Sequence, residues 1–257
     1  MSPSTSSGRG LEALIFDVDG TLADTEEAHR VAFNNAFERC KLDWRWSPDD
    51  YKELLKTTGG KERIAAYIAT KTLSNAERKQ LSALIPAIHA EKTRFYSAFV
   101  ADGGVPLREG VARLIDEALA AGCRLAIAST TTAANIDALL GSALGSRGIE
   151  LFSVIACGDQ VAAKKPAPDI YQLALRHLGV DPEQAVALED SRNGLLSATR
   201  AGLWTVVTPT YWTEHHDFAE AGLVLPSLAA LSYAELARLG DRRPRNHIAA
   251  LYEGALR

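Results

Sequence analysis

Ala13-Leu14-Ile15-Phe16 runs directly into Asp17-Val18-Asp19-Gly20-Thr21, so a short apolar run stops on two carboxylates and a Gly-Thr turn. A run this short, closed by acids and a glycine, reads as a buried strand rather than a helix. The same grammar recurs further along the chain. Arg124 to Ala128 ends at Ser129, and Leu151 to Ala156, Ala185 to Leu188, Trp204 to Val207 and Leu223 to Leu225 supply further strands. Helical stretches such as Gly110 to Ala121 and Asp169 to Leu178 lie between them. Connections of that length suit parallel strands joined by crossover helices, so the fold class is α/β with a doubly wound parallel sheet.

One stretch breaks this alternation. From Asp24 to about Ala101 there is only helical text. It carries capping boxes at Asp24-Thr25-Glu26-Glu27 and Ser74-Asn75-Ala76-Glu77, and a cap, first-turn proline and acids at Ser47-Pro48-Asp49-Asp50. The expected organisation is a flexible tail over 1–10, an α/β core over 11–23 and 103–240, and a small all-helical cap over 24–102, inserted after the first strand. A C-terminal extension over 241–257 follows, with Arg242, Arg243 and Arg245 as a solvated turn before a short helical run.

The 257 residues carry 28 Lys+Arg against 32 Asp+Glu, a net charge of −4. That balance lacks the positive field of a nucleic-acid binder but leaves room for a local basic pocket. Cys40, Cys123 and Cys157 are scattered and show no CxxC spacing. Neither a disulfide framework nor a cysteine zinc site is expected, and a reducing compartment is. No apolar run approaches the roughly 18 residues of a membrane span, and Met1 to Gly10 lack an apolar leader core. The expectation is a soluble, cytoplasmic monomer with no nucleic-acid or membrane partner.

Ligands of open parallel sheets gather beyond the carboxyl ends of the strands. There stand Asp17 and Asp19; Ser129-Thr130-Thr131-Thr132; Lys164-Lys165-Pro166-Ala167-Pro168; and Glu189-Asp190-Ser191. Singly, each has an ordinary explanation as a solvated turn, a surface charge or a helix cap. Together they place acids, a lysine and hydroxyls on one edge. Clustered acids repel unless a cation joins them, and hard oxygen ligands point to Mg²⁺ rather than zinc. Mg²⁺ beside a lysine and a hydroxyl receives a phosphoryl group.

These residues resemble the haloacid-dehalogenase superfamily. Asp17-Val18-Asp19-Gly20-Thr21 matches its first motif, Ser129 its second, Lys165 ahead of Pro166-Ala167-Pro168-Asp169 its third, and Glu189-Asp190-Ser191 its fourth, all in order. The resemblance covers roughly Leu11 to Leu239, and the helical insert looks like the family's small cap. It implies Asp17 as the nucleophile that forms an aspartyl-phosphate. It implies Asp19 as the acid–base residue, its pKa raised by a neighbouring carboxylate and partial burial. Ser129 and Lys165 would hold the transferring oxygens. Mg²⁺ would be bound by Asp17, the Asp19 backbone carbonyl and Asp190, with Glu189 behind them.

The cap is similar to that of CbbY-type phosphatases of sugar bisphosphates such as xylulose 1,5-bisphosphate, which implies carbohydrate metabolism, the Calvin cycle included. In that reading Glu26 contacts sugar hydroxyls. Gly59, Gly60, Lys61 and Arg63, with Lys92 or Arg94, bind the distal phosphate, and Thr130, Thr131 and Asn135 add polar contacts. Lys92 and Arg94 are two apart and point to different faces of a helix. Cations in the cap ask for a second anion, because the core already holds the reacting phosphoryl group.

Two alternatives within the superfamily stay open, a β-phosphoglucomutase, which His29 favours, and a phosphoglycolate phosphatase. The text after Ser129 lacks the Lys-Asn pair expected of the mutase. Asp19 argues against the dehalogenase branch, and the text around Lys56 and Lys61 does not resemble the phosphonate-cleaving branch. A signalling receiver, with its phosphorylated Asp, Mg²⁺ and Lys, is about half this length. A silent sugar-phosphate sensor would not need both Asp17 and Asp19.

Overall fold

The computed structural model describes residues 10–241; the expected tail before it and the extension from 242, with Arg242, Arg243 and Arg245, lie outside the described residues. β1 (Ala13–Phe16) leads into four helices, α1 (Glu26–Arg39), α2 (Pro48–Leu54), α3 (Gly60–Thr70) and α4 (Asn75–Ala101). The chain continues through α5 (Val111–Ala120), β2 (Arg124–Ala128), α6 (Ala133–Leu144), β3 (Val154–Ala156) and α7 (Asp169–Leu178). It ends in β4 (Ala185–Glu189), α8 (Arg192–Arg200), β5 (Trp204–Val207), β6 (Leu223–Val224) and α9 (Tyr233–Asp241).

The sheet has the order β3-β2-β1-β4-β5-β6 and every pairing is parallel. β1 is buried throughout and serves both faces: Leu14 and Phe16 join one apolar cluster, Ala13 and Ile15 the other. That alternation follows from the period of two along a strand, and burial on both sides is what covering helices impose. From β1 the chain winds outward through β2 and β3, then crosses to β4 on the other side. The switch point therefore falls between β1 and β4, where a crevice opens beyond the strand ends. Phe16 pairs with Ile127 and with Leu188, so Asp17, Ala128 and Glu189 follow at one level.

Three strand ends differ from expectation. β3 starts at Val154, because Gly148–Leu151 forms a 3-10 turn and Phe152 N–H bonds back to Ile149 at 3.2 Å. β6 stops at Val224, and β4 extends to Glu189, which pairs with Val207.

In the helical segment the capping boxes at Ser47 with Asp50 and Ser74 with Glu77 both form. The box expected at Asp24 does not. Thr25 is the N-cap of α1 and makes no side-chain cap bond. Other partners occupy the residues concerned. Glu27 accepts from Arg30 at 2.6 and 2.9 Å, Asp24 feels the Arg108 guanidinium, and Thr25 Oγ1 donates to Asp19 at 2.7 Å.

These helices enclose an aromatic cluster of their own, including Phe33, Phe37, Trp44, Trp46 and Tyr51, distinct from the two sheet clusters. Phe33 and Phe37 meet Trp46 with ring centres 4.7 and 4.8 Å apart. Such pairs contribute about 0.5–1.5 kcal/mol each beyond area burial. Trp212, from beyond β5, also sits in this cluster. The chain enters and leaves the helical segment side by side: Ala23 bridges Leu107, and Arg108 N–H bonds Leu22 O at 2.8 Å. Cys40, Cys123 and Cys157 are free thiols. Among the described residues no helix is long and apolar enough to cross a membrane.

Candidate active site

The turn after β1 brings two acidic loops together because Gly20 has φ +85° and no side chain; a Cβ there would strike the Asp190 carboxylate. Asp17, Glu189 and Asp190 are buried, and one oxygen from each lies within 4.8 Å of the others. Lys165 Nζ, delivered by the loop before α7, donates to Asp17 Oδ1 and to Glu189 Oε1, both at 2.6 Å. Tyr171, on the first turns of α7, donates its hydroxyl to the same Glu189 oxygen at 2.5 Å.

The charges do not balance. Burial pushes Asp17 up to about 7 against the pull of Lys165, with Glu189 and Asp19 adding to the rise. Burial and the Asp17 and Glu189 charges hold Asp190 well above the usual carboxylate range. For Lys165 burial works against the ammonium, but the two carboxylates outweigh it and raise its pKa. One ammonium among three crowded acids leaves an excess of hard anionic oxygens. That donor set fits a divalent hard cation.

Asp19 corrects an expectation. Burial favours its neutral form, but His29, Thr25 and Lys92 prevail and hold its pKa below the usual range. Thr25 Oγ1 donates to Asp19 Oδ1 at 2.7 Å, and His29 Nε2 lies 2.8 Å from the same oxygen. Lys92 Nζ meets His29 Nδ1 at 2.8 Å. An ammonium can only donate, so Nδ1 accepts, and the His29 proton sits on Nε2, facing Asp19. Burial and Lys92 lower the His29 pKa against the pull of Asp19, and burial brings Lys92 down to about 8.

One cavity collects most of the expected residues. Asp17, Asp19, Lys165 and Asp190 line its floor, Thr130, Thr131 and Asn135 one side, and Glu26, Gly59, Gly60, Arg63 and Lys92 its roof. Ser129 and Glu189 are buried outside this lining; Ser129 Oγ accepts the Thr131 N–H at 3.3 Å. Lys61 and Arg94 lie elsewhere. Lys61 has a side chain 51% exposed and 3.8 Å from Asp159, and Arg94, 58% exposed, pairs with Glu91 at 2.9 Å. On α3 it is Arg63 that turns inward, and on α4 it is Lys92.

In the roof Arg63 Nη1 donates to Tyr51 Oη at 2.7 Å, and Tyr51 donates to Glu26 Oε2 at 2.9 Å. Beside them Gly59, φ +95°, is the N-cap of α3 and supplies no side-chain cap. Its first N–H groups are an anion-binding end when the ligand reaches them. Tyr51, His89, Asn193, Thr213 and His216 were not singled out from the sequence as site residues, although four of them line the cavity. Extending the strand-end survey past β5 would have reached Thr213 and His216. Tyr51 offers no such signal, because an aromatic in helical text reads as core.

A family model for a haloacid dehalogenase-like hydrolase matches residues 11–202. The chain is 51% identical over 221 residues to protein CbbY of Cereibacter sphaeroides, covering 86% of this chain and 94% of the relative. It superimposes on crystal structures of CbbY from Rhodobacter sphaeroides, one in complex with phosphate (TM-score 0.82, 50% identity, 88% of this chain and 99% of that one). A mutant of that protein in complex with xylulose-(1,5)bisphosphate matches with TM-score 0.82 and 49% identity, over 88% of this chain and 99% of that one. A β-phosphoglucomutase from Clostridium difficile shares the fold, with TM-score 0.70, 20% identity and coverage of 90% and 97%.

Proposed function

The chain belongs to the haloacid dehalogenase-like hydrolase family and is a phosphatase; on that premise we propose that it hydrolyses a small sugar bisphosphate, xylulose 1,5-bisphosphate first among them, through an aspartyl-phosphate on Asp17. The observation that carries this reading is a cavity with two cationic ends: Lys165 beside Asp17 on the floor, Arg63 and Lys92 in the roof. A monophosphate has one anion for two such ends; a bisphosphate has one for each.

Asp17 attacks the phosphorus of the floor phosphate, and the bond from phosphorus to the sugar oxygen breaks as the acyl phosphate forms. Asp19 gives a proton to the departing oxygen and later takes one from the water that attacks the aspartyl-phosphate, freeing Asp17 and inorganic phosphate. Because Asp19 is bonded to Thr25 and His29 and held ionised, this role calls for exchanging those contacts for the leaving oxygen and a proton. Lys165 offsets charge on the transferring oxygens. Mg²⁺, held by Asp17, Asp190 and the Asp19 carbonyl with Glu189 behind them, would supply neutralisation of the repulsion between carboxylate and phosphate. In the roof, Glu26 faces sugar hydroxyls, with Tyr51 behind the cavity wall bonding Glu26 and Arg63, while Arg63 and Lys92 hold the distal phosphate.

The test is reductive trapping. Borohydride added during turnover converts an aspartyl-phosphate to homoserine, and peptide mass analysis is expected to find that change at Asp17 and nowhere in Asp17→Asn. Active enzyme with no modified peptide would contradict the covalent route. A mutase is the second reading, favoured by His29 bonded to Asp19. It predicts conversion of β-glucose 1-phosphate to the 6-phosphate without net phosphate release.

A further inference from the structure

Trp212 is a core residue in the wrong core. It follows β5, beyond the sheet edge that carries the acids, yet it is 5% exposed and packs in the aromatic cluster of the helical segment. Its ring meets Tyr51 edge-on, centres 5.7 Å apart with planes at 89°. Tyr51 is the middle member of the roof network, receiving from Arg63 and donating to Glu26. The neighbouring residue, Thr213, reaches the other way and donates its hydroxyl to Asp190 Oδ2 at 3.2 Å.

The short segment between is internally braced. Thr210 N–H bonds Thr213 Oγ1 at 3.0 Å, and Trp212 N–H bonds Thr210 Oγ1 at 3.2 Å. Its start is tied to the acids as well, with Thr208 N–H on Glu189 O at 2.8 Å. Two flanking contacts repeat the pattern of core against cap. Asn193 Nδ2 donates to Lys56 O at 3.0 Å and to Thr58 Oγ1 at 2.9 Å, and Lys52 Nζ stands 3.5 Å over the Tyr211 ring. A packing filler needs only the apolar seat. This segment also holds a catalytic-edge acid by one residue and the roof network by the next.

We propose that Trp212 is a positioning residue for the bisphosphate reaction: seated against Tyr51, it fixes the Glu26–Tyr51–Arg63 network over the acids, and through Thr213 it ties that seat to Asp190. The assignment rests on the bisphosphate reading of the cavity. Without the ring, the roof still carries its cations but no longer holds them in register with Asp17. The consequence falls on substrates that use both ends of the cavity at once. A small aryl phosphate, which uses only the floor, lacks that dependence.

The experiment compares wild type, Trp212→Phe and Trp212→Ala on xylulose 1,5-bisphosphate and p-nitrophenyl phosphate with Mg²⁺. It adds hydrogen exchange of the full chain, read over α2 and the start of α3 against β1 and β4. The ratio of kcat/KM for the bisphosphate to that for the aryl ester is expected to fall at least tenfold in Trp212→Ala and to recover in part in Trp212→Phe. Exchange is expected to quicken in α2 and the start of α3 while β1 and β4 stay protected. An equal loss on both substrates, or faster local exchange with an unchanged ratio, reduces Trp212 to packing and overturns the proposal. So does unchanged exchange in α2. If the alanine variant does not fold, the phenylalanine variant decides by the same ratio. If wild type cleaves the aryl ester but not the bisphosphate, the substrate reading fails, while exchange in α2 still decides whether Trp212 seats the roof.

Discussion

The floor and the roof of the cavity are built by opposite means. On the floor, Asp17, Glu189 and Asp190 follow directly from neighbouring parallel strands, and the ladder between β1 and β4 fixes their spacing. In the roof, Glu26, Tyr51, Arg63 and Lys92 come from four different helices, and bonds among side chains set their positions. In the proposed reading, backbone hydrogen bonds hold the reacting centre, and a polar network on packed helices holds the wall that selects the substrate. The difference teaches that the proposed chemistry rests on backbone pairing, and the proposed choice of substrate on side chains that support one another.

The sharpest way to break this contrast is Asp17→Asn. It keeps the floor's shape while removing the proposed nucleophile, and turnover of every phosphate substrate is expected to fall by about a thousandfold or more. Steady-state phosphate release checks it, and residual activity near wild type would remove Asp17 from the chemistry. Next in size is Lys165→Met. It leaves Asp17 and Glu189 buried without their shared ammonium. A loss of about 3–5 kcal/mol of unfolding free energy is expected, measured by denaturant titration without metal.

The roof is tested by two cations on one helix. Arg63→Ala is expected to raise KM for the bisphosphate about 10- to 100-fold, the range of a lost charged hydrogen bond. Lys61→Ala, whose side chain is exposed beside Asp159, is expected to change it by less than about twofold. Equal effects would mean that the roof is not ordered as described. The smallest effect is in the metal linkage. Asp17 has a pKa of about 7 in the folded metal-free chain against an ordinary 3.8, so between those values the native state binds the extra proton. Its contribution to stability is therefore lost as pH rises through about 7. A divalent cation needs the ionised carboxylate, so the rise in Tm on adding Mg²⁺ is expected to grow from pH 5 to pH 8. A constant rise across that window would contradict the linkage.

The same contrast explains how much the sequence disclosed. Asp17, Asp19, Glu189 and Asp190 were legible because an apolar run ending on a charge is a local signal, and parallel topology gathers such ends, with the loop after β3 that carries Lys165, at one edge. The strands around them were legible for the same reason, apart from end shifts at β3, β4 and β6. The roof was half legible. Gly59, Gly60 and Arg63 announced an anion-binding helix start, but which of Lys61 and Arg63, or of Lys92 and Arg94, turns inward depends on tertiary packing of α3 and α4. Asp19 was misjudged because its pKa is set by Thr25 and His29, residues whose approach to it is decided by where α1 begins. Trp212 was invisible as a link, since nothing local tells which core a tryptophan joins.

The most direct measurement is phosphate release with Mg²⁺ from xylulose 1,5-bisphosphate, β-glucose 1-phosphate and phosphoglycolate, each beside an EDTA control. A large preference for the bisphosphate, abolished by EDTA, is expected. Isomerisation of the glucose phosphate without release, or an equal rate on all three, would contradict a floor that cleaves and a roof that selects.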